Sequence, residues 1–355
     1  MPFPGQRRQR APSESTVGLE ALSEPERARL LHPLLERLSR GESAPGWEIA
    51  RITGGANNLL YRATGPLGDL AVKFTLADPR DRAGREYTAL LALHRSGLRV
   101  APVPLLLDRS SYSLPVVVQT WLEGEVSKEP PADDGEWTLL LKHLAAVHSL
   151  SPADTDVEIR PAHVTAPSAE AAVRLVREQA ERIPEADRPA LLSGILDRLE
   201  ARDLPRWPTP EPRLCRADAN ITNFIRRPGG WCSVDWENSG WGDPAFEIAD
   251  LITHPAYLGV PCQRWQWVAH TYCELAGDGD KLVRIWAYYG ILLCFWVARL
   301  ARYLYEVPRG LDPRLVELPA NWERDRLRKY RHYRRLAAQW LDVGADHCVR
   351  PGQAR

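Results

Sequence analysis

The sequence lacks an excess of charge of either sign, and it lacks cysteine pairs at metal-binding spacing. Forty-six basic and 46 acidic residues give a formal net charge of zero. This balance argues against a protein that charge holds to nucleic acid or to a membrane surface. The six cysteines are scattered and include no C-x-x-C pair, so no zinc site is expected. Reduced thiols in a cytoplasmic protein fit this cysteine usage best.

Long apolar runs, targeting signals and some common motifs are also missing. The most apolar run, residues 285–298, is shorter than the roughly 20 residues that cross a bilayer, so it predicts a buried helix. No apolar stretch follows the basic N-terminal residues, so no signal peptide is expected. The nine histidines form no cluster with metal-ligand spacing. The absence of G-x-x-x-x-G-K-[ST] argues against a P-loop nucleotide site.

The chain of 355 residues is long enough for two packed lobes. Short β-prone runs dominate its first part, and helical patterns dominate after "LEGE" at residues 122–125. We therefore predict an α+β fold with a small β-rich N-lobe and a larger, mainly helical C-lobe. The predicted organisation is a tail and first helix over 1–45, the N-lobe over 46–124, the C-lobe over 125–345 and a tail over 346–355.

Local signals place the individual elements. A helix over 23–41 is predicted from Ser23 as N-cap, Glu26 at the capping-box position and Gly41 as its end. Four strands are predicted from "WEIARIT", "NLLYRAT", "DLAVKFTL" and "LPVVVQTWL", with a helix over 81–97 between the third and the fourth. The predicted C-lobe helices cover roughly 136–150, 168–183, 187–202, 263–276, 281–306 and 319–343.

A lysine and a glutamate are predicted to meet where the third strand faces the helix after it. Lys73 falls on the opposite strand face from Leu70 and Val72. Glu86 lies on the same apolar helix stripe as Leu90, an unusual place for a carboxylate unless it is paired. A Lys–Glu pair of this kind can position a lysine to hold nucleotide phosphates. A surface ion pair is the alternative interpretation.

Two further loops carry residue types suited to phosphoryl transfer. Gly54, Gly55, Asn57 and Asn58 form a turn that could bring backbone amides close to phosphates, although a plain hairpin is the common role of such turns. The second loop, "RADANITN", is followed by "VDWENSGWGDPAFEIADL".

The second loop and the segment after it supply the oxygen groups that this chemistry needs. Asp218 suits the orientation of an acceptor hydroxyl, and Asn223 and Asp235 suit Mg²⁺ binding. The D-x-x-x-x-N spacing means little in isolation. It becomes specific only after a lysine strand and a glutamate helix.

In this order, the motifs resemble the aminoglycoside phosphotransferase and choline kinase family of small-molecule kinases. The resemblance runs from about residue 52 to residue 251 and implies a bilobal protein-kinase-like fold. It also implies ATP and Mg²⁺ as cofactors and a small-molecule hydroxyl as the acceptor, with no nucleic-acid or membrane partner.

The resemblance assigns roles residue by residue. "TGGANNLLYRA" looks like the phosphate loop, and "AVK", with Ala71 and Lys73, looks like the family's lysine strand, paired with Glu86. "VVVQTWLEGE", with Gln119 and Trp121, is similar to the hinge that binds adenine. By the same match, Asp218 is the catalytic base, and Asn223 and Asp235 are metal ligands. Glu247 looks like part of the segment that braces the loop.

The chain departs from the family pattern at two positions. Arg216-Ala217 precedes the aspartate where the family commonly has His-Gly or His-Asn, and Asn220 stands where a second histidine is common. Arg216 supports an alternative function, a nucleotide-binding pseudokinase that acts as a regulatory module. A protein kinase is disfavoured because no Ala-Pro-Glu segment follows Asp235.

The acceptor is predicted only as a class. Tyr289, Trp296 and Tyr303 recur every seven residues on one helix, and aromatic faces can hold an amine by cation–π attraction. Glu237, Asp243 and Glu247 could add negative potential. An amine-bearing acceptor (an amino alcohol, amino sugar or aminoglycoside) would fit, although core packing is the more common role of such a stripe.

Overall fold

The computed structural model describes residues 18–53 and 58–342. Gly54, Gly55 and Asn57 of the predicted phosphate loop lie outside these residues. So do most of the predicted N-terminal tail and the whole predicted C-terminal tail. The fold begins with helix α1, which has Ser23 as N-cap and Glu26 in a capping box, as predicted.

The N-terminal half is one antiparallel sheet in the strand order β1-β2-β3-β5-β4. Helices α1 and α2 pack against this sheet. These elements are α1 (Glu24–Ser39), β1 (Glu48–Ile52), β2 (Asn58–Gly65), β3 (Gly68–Thr75), α2 (Arg82–Arg95), β4 (Pro104–Asp108) and β5 (Val116–Thr120).

Strand β3 lies in the middle of the sheet and is buried on both faces. Val72 and Phe74 pack into an apolar core with leucines of α1, among them Leu35. Lys73 lies on the other face, where it is 4% exposed and meets α2. Strand β3 therefore carries a charged group into the interior, and that group needs partners there.

The C-terminal half is mainly helical, and its core is built around one long helix, α8. Helices α4, α6 and α9 pack most extensively against α8. The elements are β6 (Glu125–Val126), α3 (Asp134–His148), α4 (Ala169–Glu181), α5 (Ala190–Glu200), β7 (Arg213–Cys215), β8 (Phe224–Arg227), β9 (Gly230–Ser233), β10 (Gly240–Gly242), α6 (Pro244–Thr253), α7 (Cys262–Ala276), α8 (Lys281–Glu306) and α9 (Trp322–Asp342).

Helix α8, with the turn that follows it, is by length and composition alone long and apolar enough to cross a membrane. However, 67% of its most apolar window is buried inside the protein. The prediction of a buried helix from residues 285–298 is confirmed, because nearly all of these side chains are part of the C-terminal core.

Two small sheets hold the loops that carry the predicted site residues. Strands β6, β8 and β9 form one antiparallel sheet, and β7 pairs with β10 in the other. The loop with Asp218 follows β7, and the loop with Asp235 follows β9. Both loops therefore leave anchored strand ends, and both line one cleft.

The predicted α+β fold is confirmed, with helix ends within three residues of the predicted ones. Strand β4 was not predicted, although it completes the sheet beside β5.

Candidate active site

Lys73 and Glu86 form the ion pair that the sequence predicted. The Lys73 Nζ donates to Glu86 Oε2 at 2.7 Å, and Glu86 is fully buried in α2. Burial raises the pKa of the Glu86 carboxyl. A carboxylate in this position is stable only while the lysine faces it, so the pair fixes how α2 and β3 lie relative to each other.

Lys73 also reaches into the helical half of the protein. Its ammonium hydrogen-bonds to Asp235 and lies 3.8 Å from Glu237 Oε2. Burial acts to lower the pKa of Lys73, but the carboxylates of Asp235, Glu86 and Glu237 raise it above its ordinary value. The ammonium therefore stays charged, and it is centred among three carboxylates from both halves.

Asp218 lies in the loop after β7, where the backbone turns tightly. The preceding residue, Ala217, has a left-handed φ of 54°, a conformation that a glycine or asparagine adopts at lower cost. The backbone N–H of Asn220 donates to Asp218 Oδ1 at 3.0 Å. Burial and the charge of Asp235 raise the pKa of Asp218 to about 6. A carboxyl with such a pKa is suited to accept a proton near neutral pH.

Arg216 is fully buried beneath this loop and ties two backbone segments together. Its Nη1 donates to the carbonyl oxygen of Asp218 at 3.0 Å, and its Nη2 donates to that of Val234 at 2.7 Å. The guanidinium also lies over the rings of Phe224 and Trp236, at 4.7 and 5.2 Å from their centroids. Arg216 thus links the Asp218 loop to the residue just before Asp235.

Glu247 anchors the same loop from α6. Both of its carboxylate oxygens accept from the backbone N–H of Arg216 at 3.0 Å, and His148 lies 2.8 Å from Glu247 Oε2. Burial opposes ionisation, but the hydrogen bond with His148 keeps the pKa of Glu247 below its ordinary value. Glu247 therefore has the bracing contacts that the resemblance implied.

Asn223 and Asp235 present oxygen groups suited to a divalent cation. Asn223 is 8% exposed, and its side-chain Nδ2 has no hydrogen-bond partner within the described part of the chain. Asp235 adopts a left-handed φ of 63°, which is uncommon outside glycine. A carboxylate and an amide oxygen are ligands that Mg²⁺ accepts in proteins. These two residues therefore fit the metal that the sequence predicted.

A clamp between the two halves was missed by the sequence analysis. Asn58 Nδ2, at the start of β2, donates to Glu237 Oε2 at 2.9 Å, and Arg82, at the start of α2, donates to Glu237 Oε1. Arg82 also donates to Asp78 at 2.9 Å. Glu237 and Arg82 are 155 positions apart in the chain, and no local pattern marks such a pair.

The predicted adenine-binding residues form one wall of a cleft that Lys73 and the two loops also line. Ala71 of β3 is opposite Gln119 of β5, and the cleft of about 880 Å³ is lined by Ala71, Gln119 and Trp121. The N–H of Trp121 donates to the carbonyl oxygen of Asp69 at 2.9 Å. Trp121 can therefore meet a ligand through its ring or carbonyl group, but its N–H is already engaged.

The aromatic stripe on α8 meets arginines of this chain. Arg299 lies 5.5 Å from the Trp296 ring centroid, and Arg314 and Arg326 lie 4.7 and 4.8 Å from that of Tyr303. Tyr289 packs against another ring of α8, 5.6 Å away between centroids. The faces of Trp296 and Tyr303 that could hold a substrate amine are therefore already next to guanidinium groups.

The carboxylates expected to favour an amine are also engaged. Glu237 and Glu247 have the partners described above. Asp243 accepts from Arg284 at 3.1 Å and from the hydroxyl of Tyr288 at 3.3 Å. The stripe and these carboxylates thus give little support to the predicted amine-bearing acceptor.

Comparison with known proteins places this chain in a family. Residues 48–270 match the model of the phosphotransferase enzyme family. This segment includes the sheet from β1 onward, both loops and the predicted adenine-binding residues Ala71, Gln119 and Trp121. No curated protein sequence matched the chain.

Solved structures share the fold at low sequence identity. A choline/ethanolamine kinase family protein from Mesorhizobium loti superimposes with a TM-score of 0.59 and 18% identity, covering 92% of this chain and 99% of that one. A choline kinase from Cryptosporidium parvum gives 0.59 and 12%, covering 88% and 96%. A spectinomycin phosphotransferase in complex with ADP and spectinomycin gives 0.53 and 12%, covering 84% and 93%. The protein-kinase-like small-molecule kinase fold implied by the motifs is confirmed.

Proposed function

Because the chain belongs to the phosphotransferase enzyme family, we propose that it transfers the γ-phosphoryl group of Mg-ATP to a hydroxyl of a small molecule. The observation that carries this proposal is the convergence at Lys73. One ammonium contacts Glu86 of the sheet half and Asp235 of the helical half, and Asp218 and Asn223 line the same cleft.

The nucleotide would lie against the wall of Ala71, Gln119 and Trp121. Lys73, held by Glu86, would bind the α- and β-phosphates, since its charge is kept by the surrounding carboxylates. Gly54, Gly55, Asn57 and Asn58 remain predicted to cover the phosphates. Asn58 already binds Glu237 at the edge of this region.

The metal and the acceptor would meet at the two loops. Asn223 and Asp235 would hold Mg²⁺, which when bound supplies positive charge to the phosphate oxygens. Asp218 would orient the acceptor hydroxyl and take its proton, because its raised pKa makes the carboxylate a better proton acceptor. Arg216 and Glu247 hold this loop at a fixed distance from Asp235.

The pseudokinase alternative loses its main sequence support in this geometry. Arg216 does not disrupt the loop, because it hydrogen-bonds to both segments that a supporting residue would join. Lys73, Asp218 and Asp235 all line the cleft. The cytoplasmic location expected from the cysteines stays a prediction.

Turnover tests the proposal directly. ADP release should be measured with Mg-ATP across amino alcohols, hydroxy amino acids, hydroxy acids, sugars and aminoglycosides, with and without each acceptor. Asp218→Asn should lower kcat by about two to four orders of magnitude. Asp197→Asn, in the exposed part of α5, serves as the matched control and should keep wild-type rates.

Two results would count against the proposal. If no acceptor raised turnover above that of Asp218→Asn while Mg-ATP still bound, the pseudokinase function would replace it. If Asp218→Asn retained full activity with a good acceptor, the proton-accepting role of Asp218 would be wrong.

A further inference from the structure

One wall of the cleft is rich in positive charge. Helices α6, α8 and α9, the loop at residues 161–165 and, from the sheet half, the loop at residues 78–81 form this wall. Its basic side chains are Arg80, His163, His254, Arg299, Arg326 and Lys329. They come from five separate segments, so the fold gathers them and no single basic run does.

Arg299 is the centre of this group and lacks an anionic partner. Within the described ranges, no carboxylate lies at ion-pair distance from Arg299 or Arg326, and both guanidinium groups lie against aromatic rings. Arg80 does have an acidic neighbour, Asp78, at 3.5 Å, but Asp78 lies closer to Arg82, at 2.9 Å. By contrast, Arg284 on the same helix has an ion pair with Asp243 at 3.1 Å. Arg299 is exposed to the cleft and Arg326 is half-buried there, so both guanidinium groups are free to form charge-assisted hydrogen bonds with a bound anion.

The like charges are close enough to affect one another. Burial and the neighbouring guanidinium groups of Arg82 and Arg299 lower the pKa of Arg80 to about 10. Desolvation in the cleft and the charges of Arg80 and Arg299 act to lower the pKa of His163, whose side chain is exposed. Like charges thus add to desolvation in lowering both pKa values, which agrees with the basic side chains that line this wall. An anion bound there would offset this positive charge.

Two carboxylates, Asp250 and Asp325, offset the charge of this wall only in part. Among the acidic residues, Asp250 raises the pKa of Arg299 most. However, burial and the charge of Asp218 raise the pKa of Asp250 itself to about 7. Lys329 has its own partner, Asp325, at 2.8 Å. Asp218 and Asp250 both act to raise the pKa of Arg299, and Arg299 lines the same cleft as Asp218, the proposed catalytic base.

We propose that the acceptor carries an anionic group, a carboxylate or a phosphate, which Arg299 binds together with Arg80 and Arg326. This inference rests on the proposed function, because it names the acceptor class for that reaction. The acceptor oxygen would form a bond to the γ-phosphorus of ATP while the bond from that phosphorus to the β,γ-bridging oxygen breaks. ADP leaves, and the hydroxyl proton passes to Asp218. Charge-assisted bonds to the guanidinium groups would orient the hydroxyl toward Asp218.

Matched acceptors test the charge preference. Glycerate, glycerol 3-phosphate, glycerol and 3-amino-1,2-propanediol share a three-carbon skeleton with hydroxyl groups and differ in charge. We expect kcat/KM to be at least about tenfold higher for one of the two anions than for the neutral or cationic compound. The two anions distinguish a carboxylate site from a phosphate site. A preference for 3-amino-1,2-propanediol or glycerol would overturn the inference.

Variants and a binding measurement separate this inference from the proposed function. Binding of the same two anions should be measured by calorimetry in the presence of saturating Mg-ADP. Arg299→Gln and Arg326→Gln should each weaken anion binding by about tenfold to a hundredfold. Arg334→Gln, exposed on α9 and outside the cleft, is the control and should bind as wild type does. Mg-ADP affinity shows that each variant is folded.

The binding measurement tests the anion site, and the turnover measurement tests the phosphotransfer reaction. Anion binding that depends on Arg299 supports the inference even if no compound turns over, in which case only the phosphotransfer reaction is in doubt. If neither anion binds, or if Arg299→Gln and Arg334→Gln bind equally, the inference is wrong whatever the turnover.

Discussion

Arg216 shows how one side chain can take over a supporting role by a different route. A histidine at this position would offer one donor at a time to neighbouring carbonyl groups, whereas a guanidinium offers a fork of several N–H groups. In this protein the fork reaches the carbonyl oxygens of Asp218 and Val234 at once. The stacked rings of Phe224 and Trp236 shield it from water. The rings therefore stabilise the charge of Arg216, and its hydrogen bonds hold the two loops together.

Replacing Arg216 should separate positioning from chemistry. Arg216→Met removes both bonds to half-buried carbonyl oxygens, which should cost about 1 kcal/mol each. We expect kcat to fall about tenfold to a hundredfold, with little change in the KM for ATP, and a lower thermal midpoint. Arg216→His should recover part of kcat. Arg334→Met is the control. A large rise in the KM for ATP with unchanged kcat would contradict a positioning role.

The residues that were predicted from sequence are those whose chemistry restricts the choice of side chain. Lys73 and Glu86 were found because a charged residue on an apolar stripe needs a partner, and the nearest candidate strand supplied one. Arg82 and Glu237 were missed because each is unremarkable within its own segment. Their pairing exists only after the sheet packs on the helical half, so it depends on tertiary contacts that periodicity does not encode.

At the scale of elements, the helices were easier to predict than the strands. Helix α8 has 26 residues of sustained periodicity, and its predicted ends agree with the observed ones. Strand β4 has five residues, begins with proline and shows no alternation. Its partner, β5, supplies the hydrogen bonds that define it. A short edge strand of this kind is specified by its neighbour more than by its own sequence.

The packing of α8 against α9 depends on a glycine. A Cβ atom at Gly290 would overlap the indole of Trp340, and that ring also lies 4.1 Å beneath the guanidinium of Arg202. Gly290→Ala should therefore destabilise the protein by about 1–3 kcal/mol, despite the higher helix propensity of alanine.

Gly194 in α5 provides a matched control for this prediction. A Cβ there meets nothing within 4 Å, so Gly194→Ala should raise stability by about 0.5–1 kcal/mol. The two variants should be compared by thermal unfolding. Equal stabilisation by both would show that Trp340 moves aside freely and that the close approach is not required.

At the scale of the whole molecule, polar contacts join the two halves at the cleft. Glu237 binds Asn58 and Arg82, and Arg85 of α2 donates to the carbonyl oxygens of Pro161 and Ser239 at 2.6 and 3.2 Å. Apolar residues of α2 share a core with Trp236. The site is therefore built where sheet and helices meet, so its geometry depends on how the halves pack as well as on the two loops.

Buried titratable groups should make the stability of the whole fold depend on pH. His143 is 4% exposed between α3 and β9, where its Nδ1 donates to the carbonyl oxygen of Trp231 and its Nε2 accepts from the hydroxyl of Ser233, both at 3.0 Å. Burial and the nearby charge of Arg216 lower its pKa to about 3. Asp218 and Asp250 act in the opposite sense, because their raised pKa values let the folded state keep protons that the unfolded chain loses.

The contribution of His143 can be isolated by substitution. Below pH 6.5 the unfolded chain protonates this histidine while the folded protein does not until about pH 3, so stability is lost progressively as pH falls through this window. His143→Gln should be less stable at pH 7 but should lose on the order of 2 kcal/mol less between pH 6.5 and 4.5. Thermal midpoints across this range measure the difference, with His270→Gln, exposed on α7, as the control. Parallel curves for His143→Gln and wild type would mean that His143 protonates in the folded state as readily as in the unfolded chain, and the buried neutral imidazole would then not be a source of acid sensitivity.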